Sequence, residues 1–354
     1  MFFIKKLKSI VSIFLITAFA VLILLNPAIC KNGAINGILI CGRIIIPALF
    51  PFTMCVLFIM KSGVTQNLGF LTPVTQKLSG LCGENFALFV LSLIGGYPVG
   101  ARLIKEAYNN GRITEKEGGI MLNFCINAGP AFIIGAVGTG IMNSKKTGML
   151  LFFSHIFSSI VLCAISRLLK AETKISKKKA IKRISLSDNF VISTAEAAST
   201  VLNICAFVIL FSSLNSYIEV LSQNCPPIKY LLLFTEVTNG ILYEDNLFII
   251  SFLLGFGGFC VWCQVLSAAK GLMINYPLFI VSRLLHGFLS VLFTKIFLHI
   301  FGITLPTFSS GAEFSFRTLY STPTLAASML LMSIIFMISI STKKYSTKIL
   351  EDII

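Results

Sequence analysis

The sequence predicts an all-α fold: a polytopic transmembrane helical bundle with two pseudo-repeated halves and broken or re-entrant helices. Three observations predict it. The 354-residue chain is 56% hydrophobic and 12% charged, with mean hydropathy +0.89, whereas soluble domains carry about 25% charged residues. Its apolar runs are continuous, and most reach the ~20 residues that cross about 30 Å of hydrocarbon; an outer-membrane barrel would show alternating ten-residue segments instead. Two glycine–proline breaks, Gly95-Gly96-Tyr97-Pro98-Val99-Gly100 and Asn123-Phe124-Cys125-Ile126-Asn127-Ala128-Gly129-Pro130, interrupt such runs. An unpaired backbone group in hydrocarbon costs several kcal/mol, so irregular chain survives there only inside protein or beside a water-filled cavity.

Taken in order, the elements are these. Lys5, Lys6 and Lys8 precede an apolar stretch that the sequence reads as an uncleaved first span at about 10–29, because Asn26-Pro27-Ala28-Ile29-Cys30 makes a poor processing site. This gives an N-terminal transmembrane helix over 1–34. The first membrane half, 35–169, opens with a span at 37–60 carrying Arg43, Pro47 and Pro51. A mixed segment, 64–84, reads as an interfacial turn or short helix. The interrupted stretch 86–104 follows. Thr114 and Glu117 fit a capping box at the start of the next helix, which re-enters the membrane and breaks at Asn127 to Pro130. Gly135, Gly138 and Gly140 then permit close helix approach, ahead of a span at 147–169.

A polar, lysine-rich linker, 170–189, separates the halves. The second half, 190–341, reads as a span at 190–221, a short segment at 230–242, an apolar stretch at 246–269 broken at Gly255, Gly257 and Gly258, and spans at 277–300 and 322–341. A tail, 342–354, closes the chain. The two halves match in outline: Asn123-Phe124 opens a segment broken at Gly129, and Ser251-Phe252 opens one broken at Gly257-Gly258. The next span bears His155 in one half and the Arg283/His286 pair in the other. Matching broken segments in two halves point to a transporter-type binding site. Whether the halves are parallel or inverted stays open at this level.

The net charge of +15 does not imply nucleic acid as a partner. Its lysines and arginines cluster in connectors, at Lys5 to Lys8, Lys170 to Arg183, and Lys343 to Lys348. That is how positive charge marks cytoplasmic loops, and it places both termini and the linker in the cytoplasm of a multi-pass cell-membrane protein. The ten cysteines lie mostly in apolar runs and read as small hydrophobes. Cys260-Val261-Trp262-Cys263 has no second pair at metal spacing. No catalytic motif, metal set or cofactor site is recognisable, so no enzymatic activity, no metal and no cofactor are expected.

The breaks themselves are the candidate site. A helix restarting in mid-membrane exposes several N–H donors and about half a positive charge. The substrate-binding candidates are therefore Gly96, Tyr97, Pro98, Gly100, Asn123, Asn127, Gly129, Pro130, Glu236, Thr238, Asn239, Gly257, Gly258 and Gln264. Ionisable residues at membrane depth are functional candidates because they are costly there, which adds Arg43, Glu196 and Arg283 as charge partners. Glu236 stands beside the break Thr238-Asn239-Gly240 and could serve a substrate, a proton or a helix cap. Arg283 could neutralise Glu236 or Glu196, or bind an anion. His155 is expected to hydrogen-bond between helices.

Six ordered motifs carry a family resemblance: Pro47-Ala48-Leu49-Phe50-Pro51-Phe52; Gly96-Tyr97-Pro98-Val99-Gly100-Ala101-Arg102; Asn127-Ala128-Gly129-Pro130-Ala131-Phe132-Ile133-Ile134-Gly135; Thr235 to Gly240; Gly255-Phe256-Gly257-Gly258; and Arg283-Leu284-Leu285-His286. With them the chain resembles the YlbJ-like sporulation integral membrane proteins over about 35–341. The resemblance implies a nucleoside-recognition gate domain, a fold similar to concentrative nucleoside transporters, and a role in spore formation. One member group, stage V sporulation protein V, is assigned to moving dipicolinic acid across the outer forespore membrane. A flat aromatic dianion suits half-helix N-termini and neutral amides. The implied function is transport of dipicolinate or a similar small anionic aromatic solute; a nucleoside or other metabolite permease, or a non-transporting structural factor of the spore envelope, are the alternatives. The implied partners are the lipid bilayer, an anionic or nucleoside-like solute, and a second copy of the chain or other sporulation membrane proteins. The chain departs from the pattern at Gly95, where a serine is expected, and at Cys260, Trp262 and Cys263, which crowd Gln264.

Overall fold

The computed structural model describes residues 2–67, 70, 72–79, 83–167 and 185–301. Most of the predicted linker, the last span 322–341 and the tail 342–354 lie outside the described residues. Helix α1 spans Phe2–Leu25, and α2 spans Pro27–Lys61 as one 35-residue run with a π-turn at Cys41–Ile45. Pro27 starts α2 because its missing N–H is one a first turn leaves unpaired anyway. The helix then runs through residue 34, so the predicted N-terminal boundary falls inside it. Two short helices, α3 (Val64–Asn67) and α4 (Thr72–Ser79), occupy the predicted interfacial segment.

Helices α5 (Gly83–Gly95) and α6 (Tyr97–Asn109) meet at Gly96, whose φ of 93° suits only glycine; Pro98 then presets the first turn of α6. Eight residues of continuous helix would separate Ser92 from Gly100 by about 12 Å. Instead, a β-carbon at Gly100 would fall 3.1 Å from the Ser92 side chain. The two helices thus fold back as a hairpin, and each, at roughly 20 Å, is too short to cross.

Helix α7 (Glu115–Met121) begins with the predicted capping box: Thr114 Oγ1 accepts from Glu117 N at 3.2 Å and Glu117 Oε2 from Thr114 N at 2.7 Å. The chain unwinds from Leu122 to Pro130 and restarts as α8 (Ala131–Ile141), a π-type helix. Helix α9 (Lys145–Ser166) returns across the bundle.

The second part repeats this order. Helix α10 (Leu186–Asn224) is the long helix; α11 (Leu231–Thr235) and α12 (Val237–Leu242) form a shorter hairpin; α13 (Leu247–Phe256) and α14 (Gly258–Ala268) form a broken helix; α15 (Tyr276–Phe301) ends the described chain. The break in 230–242 falls at Glu236, in extended backbone with φ −142° and ψ 125°. This corrects its predicted placement at Thr238-Asn239-Gly240, which lies inside α12. A β-carbon at Gly240 would meet Leu233 O at 2.7 Å, which shows that this element also folds back. Gly257 and Gly258, at φ 83° and 75°, interrupt the α13/α14 crossing.

Long helices α2 and α10 pack antiparallel along their length. Gly33 abuts Ser216, Gly37 abuts Ile209, Cys41 Sγ contacts Cys205 O, and Asn189 Nδ2 donates to Phe58 O at 3.1 Å. Equivalent helices running in opposite senses make the two parts an inverted repeat, with hairpins entering from opposite ends of the α2/α10 pair. Among the described residues, five helical stretches are long and apolar enough to cross a membrane: α2, α9, α10, α13–α14 and α15. Tyr217 of α10 donates to Leu22 O and Asn26 O, pinning the α1–α2 turn.

Candidate functional site

The breaks from both parts converge on one cleft of about 420 Å³ including its mouth. Both hairpin tips line it, through Gly96, Tyr97 and Pro98 on one side and Glu236, Val237 and Thr238 on the other. Gly129 and Phe132 come from the unwound stretch and α8, and Val261 and Gln264 from α14. Ile45 and Leu49 of α2, with Ile204 and Val208 of α10, close the apolar walls. The mixture of apolar walls with a few convergent polar groups is typical of small-molecule sites.

The geometry of each break follows from local chemistry. Gly129 presses against the first hairpin tip: a β-carbon there would stand 2.8 Å from Ile94 O and 3.3 Å from Gly96 N. The α6 N-terminus has no side-chain cap, and neither does that of α8 or α14. The α12 N-terminus is different. Glu236 Oε2 accepts from Asn239 N at 2.7 Å, and Asn239 Nδ2 reaches Ser212 Oγ of α10 at 3.2 Å. Glu236 is therefore a helix cap, one of the three roles its position suggested, and it also lines the cleft. Gln264 Nε2 lies 3.3 Å from Cys260 Sγ.

The carbonyl ends opened by the breaks are covered by side chains. Tyr97 Oη donates to Leu254 O at 2.5 Å, joining the first hairpin to the end of α13. Trp262 Nε1 donates to Phe256 O at 2.9 Å. Sequence reasoning saw Trp262 only as a crowding departure; the indole satisfies a carbonyl that the Gly257 turn leaves unpaired. Arg283, buried on α15, donates through its two terminal nitrogens to Asn123 O and, at 2.5 Å, to Ile126 O. It pairs with neither Glu236 nor Glu196, the two partners considered for it.

Several predicted residues stand behind the cleft instead of lining it. Asn127 is fully buried; its amide donates to Phe124 O at 2.9 Å and Ser92 Oγ at 3.3 Å and accepts from Ser159 Oγ. Asn123 is bound through its backbone by Arg283. The side chain of His155 on α9 hydrogen-bonds to the unwound stretch and not to another helix, Nε2 accepting from Ala128 N at 2.9 Å, and its ring lies 4.3 Å from that of His286. Gly100 supplies close packing, since a β-carbon there would lie 2.0 Å from Cys125 O. Pro130 precedes α8, and Gly257 and Gly258 form the α13/α14 turn without lining the cleft. Glu196 belongs to a charge network at one end of the bundle. It pairs with Arg102 at 2.6 Å and Lys61 at 3.1 Å, and Lys61 also pairs with Glu106 at 3.1 Å. Arg43, on the π-turn of α2, is half-buried and outside the cleft lining. No disulfide joins the cysteines among the described residues. Sequence reasoning missed the apolar walls entirely, because Ile45, Ile204, Val208 and Val261 carry no signal that separates a cleft wall from ordinary core.

The fold and the cleft define a class first: a multi-pass integral membrane protein built as an inverted repeat, with broken helices from both halves around one shared cleft. The chain is 23% identical to the sporulation integral membrane protein YlbJ of Bacillus subtilis (strain 168), over 77% of this chain and 78% of that protein. That similarity agrees with the resemblance carried by the six motifs. No family model matches the chain, and no solved structure matches it.

Proposed function

We propose that the protein is a carrier that moves a small planar anionic aromatic solute of the dipicolinate type across a membrane during spore formation, binding it in the cleft between the hairpin tips. The observation that carries this reading is the cleft lined by unwound chain from both halves of an inverted repeat, the arrangement in which broken-helix carriers hold substrate near the midplane. Uncapped N-termini of α6 and α8, which reach the cleft through Gly96, Tyr97 and Phe132, favour carboxylates. The aliphatic walls and Phe132 suit an aromatic ring, and Thr238 and Gln264 offer hydrogen bonds in its plane.

For orientation, the sequence between α9 and α10 carries the lysine-rich run Lys170 to Arg183, whereas the start of α9 and the segment after α10 carry only Lys145, Lys146 and Lys229. That bias supports a cytoplasmic linker. The first hairpin then enters from the cytoplasm and the second from the other side. The outer forespore membrane is the location this reading proposes.

The test is uptake of radiolabelled dipicolinate beside uridine in proteoliposomes holding the purified chain. Dipicolinate uptake that falls at least tenfold in Gln264→Ala and Thr238→Val, with normal membrane abundance, supports the reading. Uridine as the preferred solute would transfer the same cleft to nucleoside transport, and uptake of neither would remove the carrier reading.

A further inference from the structure

The strongest unassigned feature is how Arg283 is held. Its side chain is 1% exposed on α15, and its guanidinium binds carbonyl oxygens of Asn123, just beyond the C-terminal end of α7, and Ile126, in the unwound stretch. Among the described residues no carboxylate lies within ion-pair distance of it. His286 Nδ1 lies 3.4 Å from Nη1, and the Phe279 ring lies 5.8 Å from the guanidinium carbon. The counter-charge for this buried cation is therefore main-chain dipole: two carbonyls at a half-helix end. A lone charge is expensive at such depth unless a preformed partner meets it.

In broken-helix carriers, unwound carbonyls and half-helix C-termini are the groups that coordinate a coupling Na+ or proton. Here those groups are already occupied by a cation that is part of the chain. We propose that Arg283 is a tethered counter-ion standing in for a coupling cation at the Asn123–Ile126 carbonyls, so that the protein needs no Na+ at this place to hold the unwound segment or to cycle. The geometry also explains why the arginine lies on α15, across the repeat. A cation carried by the second half locks the first half's unwound stretch in register with it, as a bound ion would, but with no dependence on ion concentration. This inference rests on the carrier reading for its transport consequence, while its binding consequence is independent of transport.

Two measurements separate these. The first is the thermal midpoint of the purified full-length chain in detergent with choline, Na+ or guanidinium as the added cation. Wild type is expected to be indifferent to all three at millimolar levels. Arg283→Ala, which opens the carbonyl site, is expected to melt lower in choline and to recover in guanidinium, and more weakly in Na+, because a ligand that binds only the folded state stabilises it by mass action. A folded Arg283→Ala that no cation stabilises overturns the proposal, as does a wild type stabilised by Na+. If Arg283→Ala does not accumulate, the comparison passes to Arg283→Lys and Arg283→Met. Accumulation of the lysine variant alone upholds the need for a cation, and equal behaviour of the two removes it. The second measurement is wild-type uptake in Na+ against choline, expected equal within about twofold; tenfold stimulation by Na+ overturns the proposal. Absence of any uptake overturns the carrier reading alone and leaves the melting comparison to decide Arg283.

Discussion

Substituting Gly100 by alanine tests whether the first hairpin and the unwound stretch are in backbone contact. The added β-carbon would lie 2.0 Å from Cys125 O and 3.1 Å from the Ser92 side chain, and real β-carbons essentially never approach closer than 3.0 Å. The hairpin and the unwound stretch must therefore separate by about 1 Å. The obstructing atom is main chain, so no rotamer change relieves the contact. Overpacking of this kind typically costs about 1–3 kcal/mol, and here the moving element carries Gly96, Tyr97 and Pro98 of the cleft. Gly135→Ala is the matched control. It adds the same methyl on α8 where nothing lies within 4 Å, and replacing a helical glycine removes up to about 1 kcal/mol of propensity cost. In detergent, the thermal midpoint of Gly100→Ala should fall by several degrees while Gly135→Ala stays level or rises. Solute uptake should fall with the first and hold with the second. Equal midpoints for the two variants would refute the contact between hairpin and unwound chain, and with it the placement of the cleft.

Tyr97→Phe keeps the ring and removes the Leu254 hydrogen bond. Membrane-buried side-chain bonds average about 0.6 kcal/mol with a maximum near 1.7, so the midpoint should drop by only a degree or two, while uptake drops more because the bond joins the two halves. A midpoint loss as large as that of Gly100→Ala would contradict the assignment. Glu196→Gln breaks the pairs with Lys61 and Arg102. These side chains are 13–29% exposed, so a loss of about 1 kcal/mol or less is expected. It should shrink further in high salt, as read from melting across a salt series; a salt-independent loss would show that packing carries the effect.

Gly96, the Gly129-Pro130 pair and Gly257-Gly258 were legible as breaks because glycine and proline have a backbone meaning that survives any tertiary context. What they could not reveal is the angle between the two pieces. Gly96 turns a hairpin and Gly257 interrupts a crossing helix, yet the local signals are alike. The tip at Glu236 was placed two to four residues late because no glycine or proline marks it. An extended glutamate with its own carboxylate as cap does the work. The inversion of the halves was likewise hidden, since it resides in the antiparallel contacts of α2 with α10, from Gly33 against Ser216 to Phe58 against Asn189. Arg283 stands out in the sequence, but its carbonyl partners do not, because carbonyl dipoles leave no trace in a charge pattern. Glu196 looked equally isolated within its run, although Arg102 and Lys61 answer it from other helices.

The presence of Glu236 in a cleft proposed for an anion is the sharpest objection to that reading, and the half-helix ends decide it. Every break creates an amide end and a carbonyl end of opposite sign, so a broken bundle has no inherent preference. The preference arises from which ends are neutralised. Arg283 covers the carbonyls after α7, and Tyr97 and Trp262 cover two at the end of α13. The amide ends of α6, α8 and α14 have no side-chain cap. At about half a unit charge per helix end, the two of these ends that reach the cleft, α6 and α8, supply roughly +1 against the single charge of Glu236. Part of that charge is already committed to the amides of α12, through Asn239 N at 2.7 Å. The balance favours an anion near the first hairpin tip and disfavours one near the second, which points a solute with an acidic group toward Gly96 and Gly129. Glu236→Gln should then strengthen binding of a dicarboxylate and leave a monocarboxylate nearly unchanged. Competition between dipicolinate and picolinate for uptake measures the difference, and a weaker dicarboxylate in the variant would show that Glu236 contacts the solute as an acceptor.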